Sequence, residues 1–278
     1  MRFDDLRRPP LDQAALRTAL SGGASIWRAV EVVEESLSTN RAVADRARQG
    51  EPEGLVLVAE HQTAGRGRLD RTWVTPARAA LTFSVLLVPD RVPVSRWPWL
   101  PLLAGIAVSE GVRRVTGVPC DLKWPNDVMV EDQKLAGLLA ERVERPSSAA
   151  AVLGVGLNVT STRDELPVPT ATSLELAGAT NLDRSVILRE VLRAFEALYL
   201  QWSAERGDPG AGLQAAYVRR CATIGRQVRV DLPSGETVVG EAVGVDGDGR
   251  LQVRTATGSR LLGAGDVVHV RPRPDTAT

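Results

Sequence analysis

The texture of the chain changes near residue 221, and that change limits the architecture more than any other feature. Beyond it, short segments alternate apolar and polar residues: Gln227–Asp231, Thr237–Val245, Leu251–Thr255, Arg260–Leu262 and Val267–Val270. Pro-Ser-Gly, Asp-Gly-Asp-Gly and Thr-Gly turns separate them. Alternation with a period of two marks strands that bury one face, and five such strands in close succession predict a small β-barrel. Upstream, the signals are longer. Leu55–Ala59, Leu81–Val88 and Ala150–Val159 are apolar runs of strand length, whereas Trp97–Val115 and Asp183–Ala204 carry helical periodicity. Trp27–Val33 also alternates like a strand, and Asp121–Val130 and Leu135–Val143 read as strands around a turn. The predicted organisation is an N-terminal segment with a short helix (1–26), a larger domain (27–221), the barrel (222–272) and a disordered tail (273–278).

Composition narrows the class. Of 278 residues, 44% are hydrophobic and 24% charged, which is ordinary for a globular protein and excludes disorder as a class. The 34 basic and 34 acidic residues cancel, which argues against a general nucleic-acid binder or a polybasic membrane-surface protein. No apolar run is long enough to span a bilayer, and the charged Met1–Pro10 is unlike a secretory signal. Cys120 and Cys221 form neither a disulfide framework nor a zinc spacing, and His61 and His269 are too few for a typical His-rich metal site. A cytoplasmic protein with no membrane or nucleic-acid partner is expected.

Only two of the 34 basic residues, Lys123 and Lys134, are lysine. Where arginine is the default cation, a retained lysine points to a need for a compact ammonium, with chance placement the competing interpretation. Three segments carry the remaining chemistry. His61–Trp73, containing Gly65-Arg66-Gly67-Arg68, has no periodicity and reads as a loop. It lacks the Gly-Lys-Ser/Thr ending of a Walker loop; its glycines allow close backbone approach and its arginines offer forked donors to phosphate or carboxylate. A solvated loop pairing with surface acids is the competing interpretation. Lys123-Trp124-Pro125-Asn126-Asp127 precedes Lys134-Leu135-Ala136-Gly137. Asp127 opposite two lysines resembles a metal-bridged phosphate site, although Pro-Asn-Asp is also ordinary turn chemistry. Gly154 and Gly156 interrupt an apolar strand before Asn158, which signals either a bulge or a ligand lying against the strand.

Taken in order, Ser38-Thr39-Asn40, Glu60–Arg71 with Trp73, Lys123–Asp127, Lys134–Gly137 and Gly154–Asn158 resemble the biotin protein ligases, and the resemblance spans about residues 30–270. It implies an α/β fold of the α+β kind: a mixed, largely antiparallel sheet with helices, as in class II aminoacyl-tRNA synthetases, followed by an SH3-like barrel. It also implies that biotin and MgATP give biotinyl-5′-adenylate, and that a lysine of a biotin carboxyl carrier domain then attacks the adenylate. By that resemblance Ser38, Thr39, Asn40 and Gln62 bind the biotin rings, with Gly65, Arg66, Gly67, Arg68, Gly137 and Gly156 lining the same pocket. Lys134 bridges carboxylate and α-phosphate, Arg68 holds the phosphate, and Arg66 and Arg71 act in a closing loop. Trp73 stacks on adenine, Asn158 reads its edge, Asn126 and Asp127 organise Mg²⁺ and nucleotide, and Lys123 is a second cation. Some family members carry an N-terminal winged helix-turn-helix; about 26 residues before the first strand are too few for one, so a monofunctional ligase, monomeric or homodimeric, is expected. A lipoate or octanoyl ligase and a non-catalytic biotin-binding protein are the alternatives.

Overall fold

The structure, a computed structural model, describes residues 7–20, 22, 25–69, 71–145 and 148–269; the tail expected to be disordered lies outside them. Helix α1 (Gln13–Leu20) follows Pro9-Pro10, and then come β1 (Ala29–Ser36), α2 (Thr39–Arg48) and β2 (Leu55–Gln62). A two-residue hairpin, β3 (Gly65–Arg66) and β4 (Thr72–Trp73), leads to β5 (Ala80–Leu87) and the long α3 (Trp99–Thr116). The strands β6 (Asp121–Lys123), β7 (Asp127–Val130), β8 (Gln133–Val143) and β9 (Ala150–Asn158) precede α4 (Arg184–Ala204) and α5 (Gly210–Arg220). Five strands end the described chain: β10 (Gln227–Asp231), β11 (Thr237–Val245), β12 (Leu251–Thr255), β13 (Gly258–Leu262) and β14 (Asp266–His269).

Seven strands form one sheet in the order β1-β2-β5-β9-β8-β7-β6. Only β1–β2 is parallel; every other pairing is antiparallel, so the sheet is mixed and largely antiparallel as expected. Strand alternation divides its two faces. Val56, Val58, Leu81, Phe83, Val85, Leu153, Val155 and Leu157 pack in the large core with α3 and α4, while Leu55, Leu57, Leu86 and Val152 pack against Val43, Ala44 and Ala47 of α2. On that second face the apolar cover stops short. Thr82, Ser84, Gly137, Gly154, Gly156 and Asn158 share it by strand parity, and they underlie a cleft rather than a core.

The long helices end where the sequence says they should. Asp183 caps α4, its carboxylate accepting from Ser185 and Val186 N–H, and Gly117 takes a left-handed conformation (φ 76°) to close α3. The N-terminal segment is stitched to the sheet through a buried ion pair. Arg184 donates to Glu60 at 2.6 Å and to Pro9 carbonyl at 2.6 Å, and Glu60 accepts the Leu11 N–H at 2.6 Å. The last five strands form an antiparallel sheet, β13-β12-β11-β10-β14, whose inward Val228, Val230, Ala242, Leu251 and Val253 join the large core.

Three expectations change, and one open alternative is removed. His61–Trp73 is not wholly irregular, because Gly65–Arg66 pairs with Thr72–Trp73. Asp121–Val130 is two strands, broken at Trp124-Pro125-Asn126, where the peptide before Pro125 is cis. The first strand runs Ala29–Ser36 rather than Trp27–Val33, because its register follows the β2 run beside it. Gly154 and Gly156 make no bulge; both keep regular register with β5 and β8.

Candidate active site

Why those glycines are needed is visible in what lies above them. A Cβ on Gly154 would stand 2.1 Å from Asn40 Oδ1, and one on Gly156 would stand 2.4 Å from the Trp73 ring. The absent side chains therefore admit the N-terminus of α2 at one position and the hairpin tryptophan at the next. Between and around them is a cleft of about 870 Å³. It is lined by every predicted site residue except Gly65, which sits behind it with its Cα against the Trp73 carbonyl.

At one end of the cleft, Ser38 occupies the N-cap position of α2, yet its side chain makes no capping bond and is left to the cleft. Thr39 N–H donates to Gln62 Oε1 at 2.8 Å, which turns the Gln62 amide nitrogen away from the helix. Asn40 is anchored on the protein: its Nδ2 donates to Glu141 at 2.7 Å and to Leu139 carbonyl at 3.2 Å. Ser84, fully buried on β5, lies 2.6 Å from Asn40 Oδ1 and 2.7 Å from Thr39 Oγ1.

At the other end the cations gather. Lys123 and Asp127 are cross-strand partners on β6 and β7, and Asp127 faces Gly137 on β8. Lys134 Nζ approaches Asp127 Oδ1 to 2.6 Å as an ion pair; that buried oxygen has no hydrogen bond of regular geometry. The backbone of Lys134 is held from both sides by Thr170 carbonyl (2.7 Å) and Thr172 N–H (2.8 Å). Arg68 donates to Asn126 Oδ1 at 3.0 Å, and Asn126 Nδ2 donates to Leu138 carbonyl at 2.8 Å, so Asn126 props the arginine toward the cleft. Burial lowers the Lys123 pKa, with Asp127 opposing and the Lys134 charge reinforcing the shift. Burial likewise lowers that of Arg68, against the pull of Asp266 and Asp127. Cations in partly desolvated surroundings at this density favour an anionic guest.

Three contributors escaped the sequence reading. Asp266, on the first residue of β14, ion-pairs with Arg71, and the neighbouring Gly265 carbonyl accepts from Arg68 at 3.5 Å. One acid among 34 carries no local signal of that distant contact. Glu141 meets Asn40 and lies 3.9 Å from Arg66. Ser84 had a signal: a hydroxyl on the apolar run Leu81–Val88. Trp73 packs over Gly156 with its Nε1 buried and unpartnered, and its six-membered edge reaches Gly137. Asn158 donates to Thr172 carbonyl at 2.9 Å.

Comparison with known proteins places this geometry. Residues 32–158 match the model of the Biotin/lipoate A/B protein ligase family, and residues 223–270 match the Biotin protein ligase C terminal domain. The chain is 46% identical over 271 residues to a biotin--[acetyl-CoA-carboxylase] ligase of Mycobacterium tuberculosis, covering 96% of this chain and 98% of that one. It is 32% identical over 234 residues to the bifunctional ligase/repressor BirA of Bacillus subtilis, covering 83% and 70% respectively. Among solved structures, the biotin protein ligase from Aquifex aeolicus in complex with biotin and ATP superposes with a TM-score of 0.74 at 27% identity, covering 88% of this chain and all of that one. The chain belongs to the biotin protein ligase family.

Proposed function

We propose that the chain activates biotin with ATP to biotinyl-5′-adenylate and then transfers biotin to a lysine of a biotin carboxyl carrier domain of an acyl-CoA carboxylase. The observation that carries this reading is the two-ended cleft. Neutral hydrogen-bonding groups at Ser38, Thr39 and Gln62 lie at one end, and Lys123, Lys134, Arg68 and Asp127 at the other. A simple biotin binder explains that pairing less well, because binding biotin alone calls for no cluster of phosphate cations.

Catalysis here needs no nucleophile from the enzyme. The biotin carboxylate attacks the α-phosphorus of ATP, and pyrophosphate leaves. In the second step the acceptor amine attacks the carbonyl carbon of the mixed anhydride, and AMP leaves. Two anions must be brought within bonding distance, so the enzyme's work is positioning and charge cancellation. Lys134 is the bridging cation between carboxylate and α-phosphate, and its Asp127 partner holds the ammonium in place until the substrates arrive. Arg68, propped by Asn126, clamps the phosphate, and Lys123 balances the departing pyrophosphate. Trp73 gives a flat face for adenine, Asn158 borders it, and Arg66 and Arg71 close the hairpin over the product, which excludes water from a hydrolysable intermediate. Gly65, Gly67, Gly137 and Gly156 give the backbone proximity that this closure requires.

Among the described residues no three His, Cys, Asp or Glu side chains converge on one point, so a magnesium cage made wholly of protein is absent from them. The donor set does fit an ion carried on the nucleotide: Asp127, whose buried Oδ1 has the Lys134 ion pair but no regular hydrogen bond, would be the carboxylate ligand, and the ion would neutralise phosphate charge. Biotin-dependent ATP–pyrophosphate exchange tests the reading. Exchange is expected with biotin, not with lipoate, and is lost in Lys134→Ala with the circular-dichroism spectrum intact. Exchange driven by lipoate, or undiminished in the variant, overturns it.

A further inference from the structure

The polar network beneath the cleft has more contacts than protons, and counting them fixes its direction. Asn40 Nδ2 faces Glu141 carboxylate at 2.7 Å and Leu139 carbonyl at 3.2 Å, both of which only accept. The amide orientation follows, so Asn40 Oδ1 faces Ser84 Oγ at 2.6 Å and also only accepts. The single Ser84 proton must occupy that contact, since two oxygens at 2.6 Å without a proton repel. Ser84 Oγ is also 2.7 Å from Thr39 Oγ1, and this second short contact needs a proton that only Thr39 can give. The remaining oxygen contact, Thr39 Oγ1 to Gln62 Oε1, is the long one at 3.1 Å, and that Gln62 oxygen already receives the Thr39 N–H at 2.8 Å.

From this geometry we infer that Ser84 is a positioning residue that holds the Thr39 hydroxyl as an acceptor toward the cleft, so that the site selects a ring N–H at that point of the ligand. The inference rests on the biotin reading above and gives it a direction. Gln62, with its oxygen turned inward, presents only N–H donors, so the complementary guest pairs a carbonyl with an adjacent N–H, as a cyclic urea does. Ser84 touches no substrate; it acts through Thr39. The three central members are buried, with Ser84 at 0%, Thr39 at 3% and Asn40 at 4% exposure, so water cannot readily replace a partner lost beneath the cleft.

The test compares biotin with its two cyclic-carbamate isosteres, in each of which one ring N–H is an ether oxygen. An acceptor facing Thr39 is mismatched, and the wild type should prefer the urea over that isostere by about 10- to 100-fold in kcat/KM. In Ser84→Ala the Thr39 proton is left only its long contact, and the hydroxyl can turn to donate. The preference should then shrink about tenfold, with KM for ATP unmoved and the other isostere unaffected. Ser84→Thr, which keeps the hydroxyl, should restore the preference. If Ser84→Ala disturbs the fold, Ser84→Cys supplies the same loss with nearly the same volume. A folded variant that retains full discrimination overturns the proposal, as does discrimination that survives in Thr39→Val. Failure of the biotin reading itself shows separately, as absence of biotin-dependent pyrophosphate exchange in the wild type.

Discussion

Lys134 illustrates how tightly a single residue can be specified. Its ammonium is 2.6 Å from Asp127 Oδ1, and a Cβ added at Gly137 would stand 3.2 Å from its Cε, its Nζ and the Trp73 ring alike. A guanidinium is planar and wider than an ammonium and cannot enter that space as a point charge between two anions. Lys134→Arg should therefore slow adenylate formation by on the order of 100-fold, the range seen when one preorganised charge-stabilising group is lost. The melting temperature should barely move, because the side chain is about one-third exposed and its ion pair contributes little to stability. Pyrophosphate release in a single turnover, read beside a thermal melt, checks both; a rate within threefold of wild type overturns the role. The sequence pointed to Lys134 because only it and Lys123 among the 34 basic residues are not arginine. Ser84 and Asp266 were harder to read: each acts through a partner that only the folded chain brings near.

At the scale of elements, strand parity makes the cleft. The row Gly154, Gly156, Asn158 lies on one face of β9, opposite the core-facing Leu153, Val155 and Leu157. Neither glycine has a positive φ, so alanine fits the backbone at both and any effect comes from the added methyl. Gly156→Ala should displace Trp73 and raise KM for ATP about tenfold with little change for biotin; Gly154→Ala should press on Asn40 and do the reverse. Each should also cost about 1–3 kcal/mol through overpacking. Steady-state kinetics with each substrate varied in turn separates the two, and identical effects on both constants would refute the division of the cleft. The terminal strands were readable to within a residue or two, because alternation runs through β10, β11 and β12 and turn residues bound the rest. The hairpin at Gly65–Trp73 was not, since two-residue strands carry no period. The split at Trp124-Pro125-Asn126 was hidden for a related reason: Leu122 and Val128 are both buried, so the pattern reads straight through the turn.

The whole molecule is closed by contacts between the terminal sheet and the catalytic strands. Arg71 meets Asp266, and Asp266→Ala should weaken ATP binding several-fold while leaving the melt nearly unchanged, since the arginine is mostly exposed. A titration of ATP monitored by tryptophan fluorescence checks this. A second contact is sensitive to pH. Trp124 N–H donates to Thr223 Oγ1 at 3.2 Å, and Thr223 Oγ1 lies 3.2 Å from His269 Nε2. Arg226 reaches His269 Nδ1 at 3.2 Å and can only donate, so Nδ1 accepts and Nε2 carries the proton. Burial, with the charges of Lys123 and Arg226 adding to it and Asp132 opposing, pushes the His269 pKa down from 6.5 to about 4. In the unfolded chain this imidazole takes a proton near its ordinary value, whereas the folded chain resists until about pH 4. Between those limits the unfolded state binds more protons, so stability falls as pH falls; above 6.5 and below 4 the residue adds no slope. His269→Gln removes this titration and leaves every carboxylate in place. Melting temperatures of the two proteins should therefore converge as the pH is lowered from 7 to 4.5, the wild type losing more than the variant. Parallel curves across that interval would show that His269 is already solvated or charged, and that the link from the terminal sheet to Trp124 does not depend on a neutral imidazole.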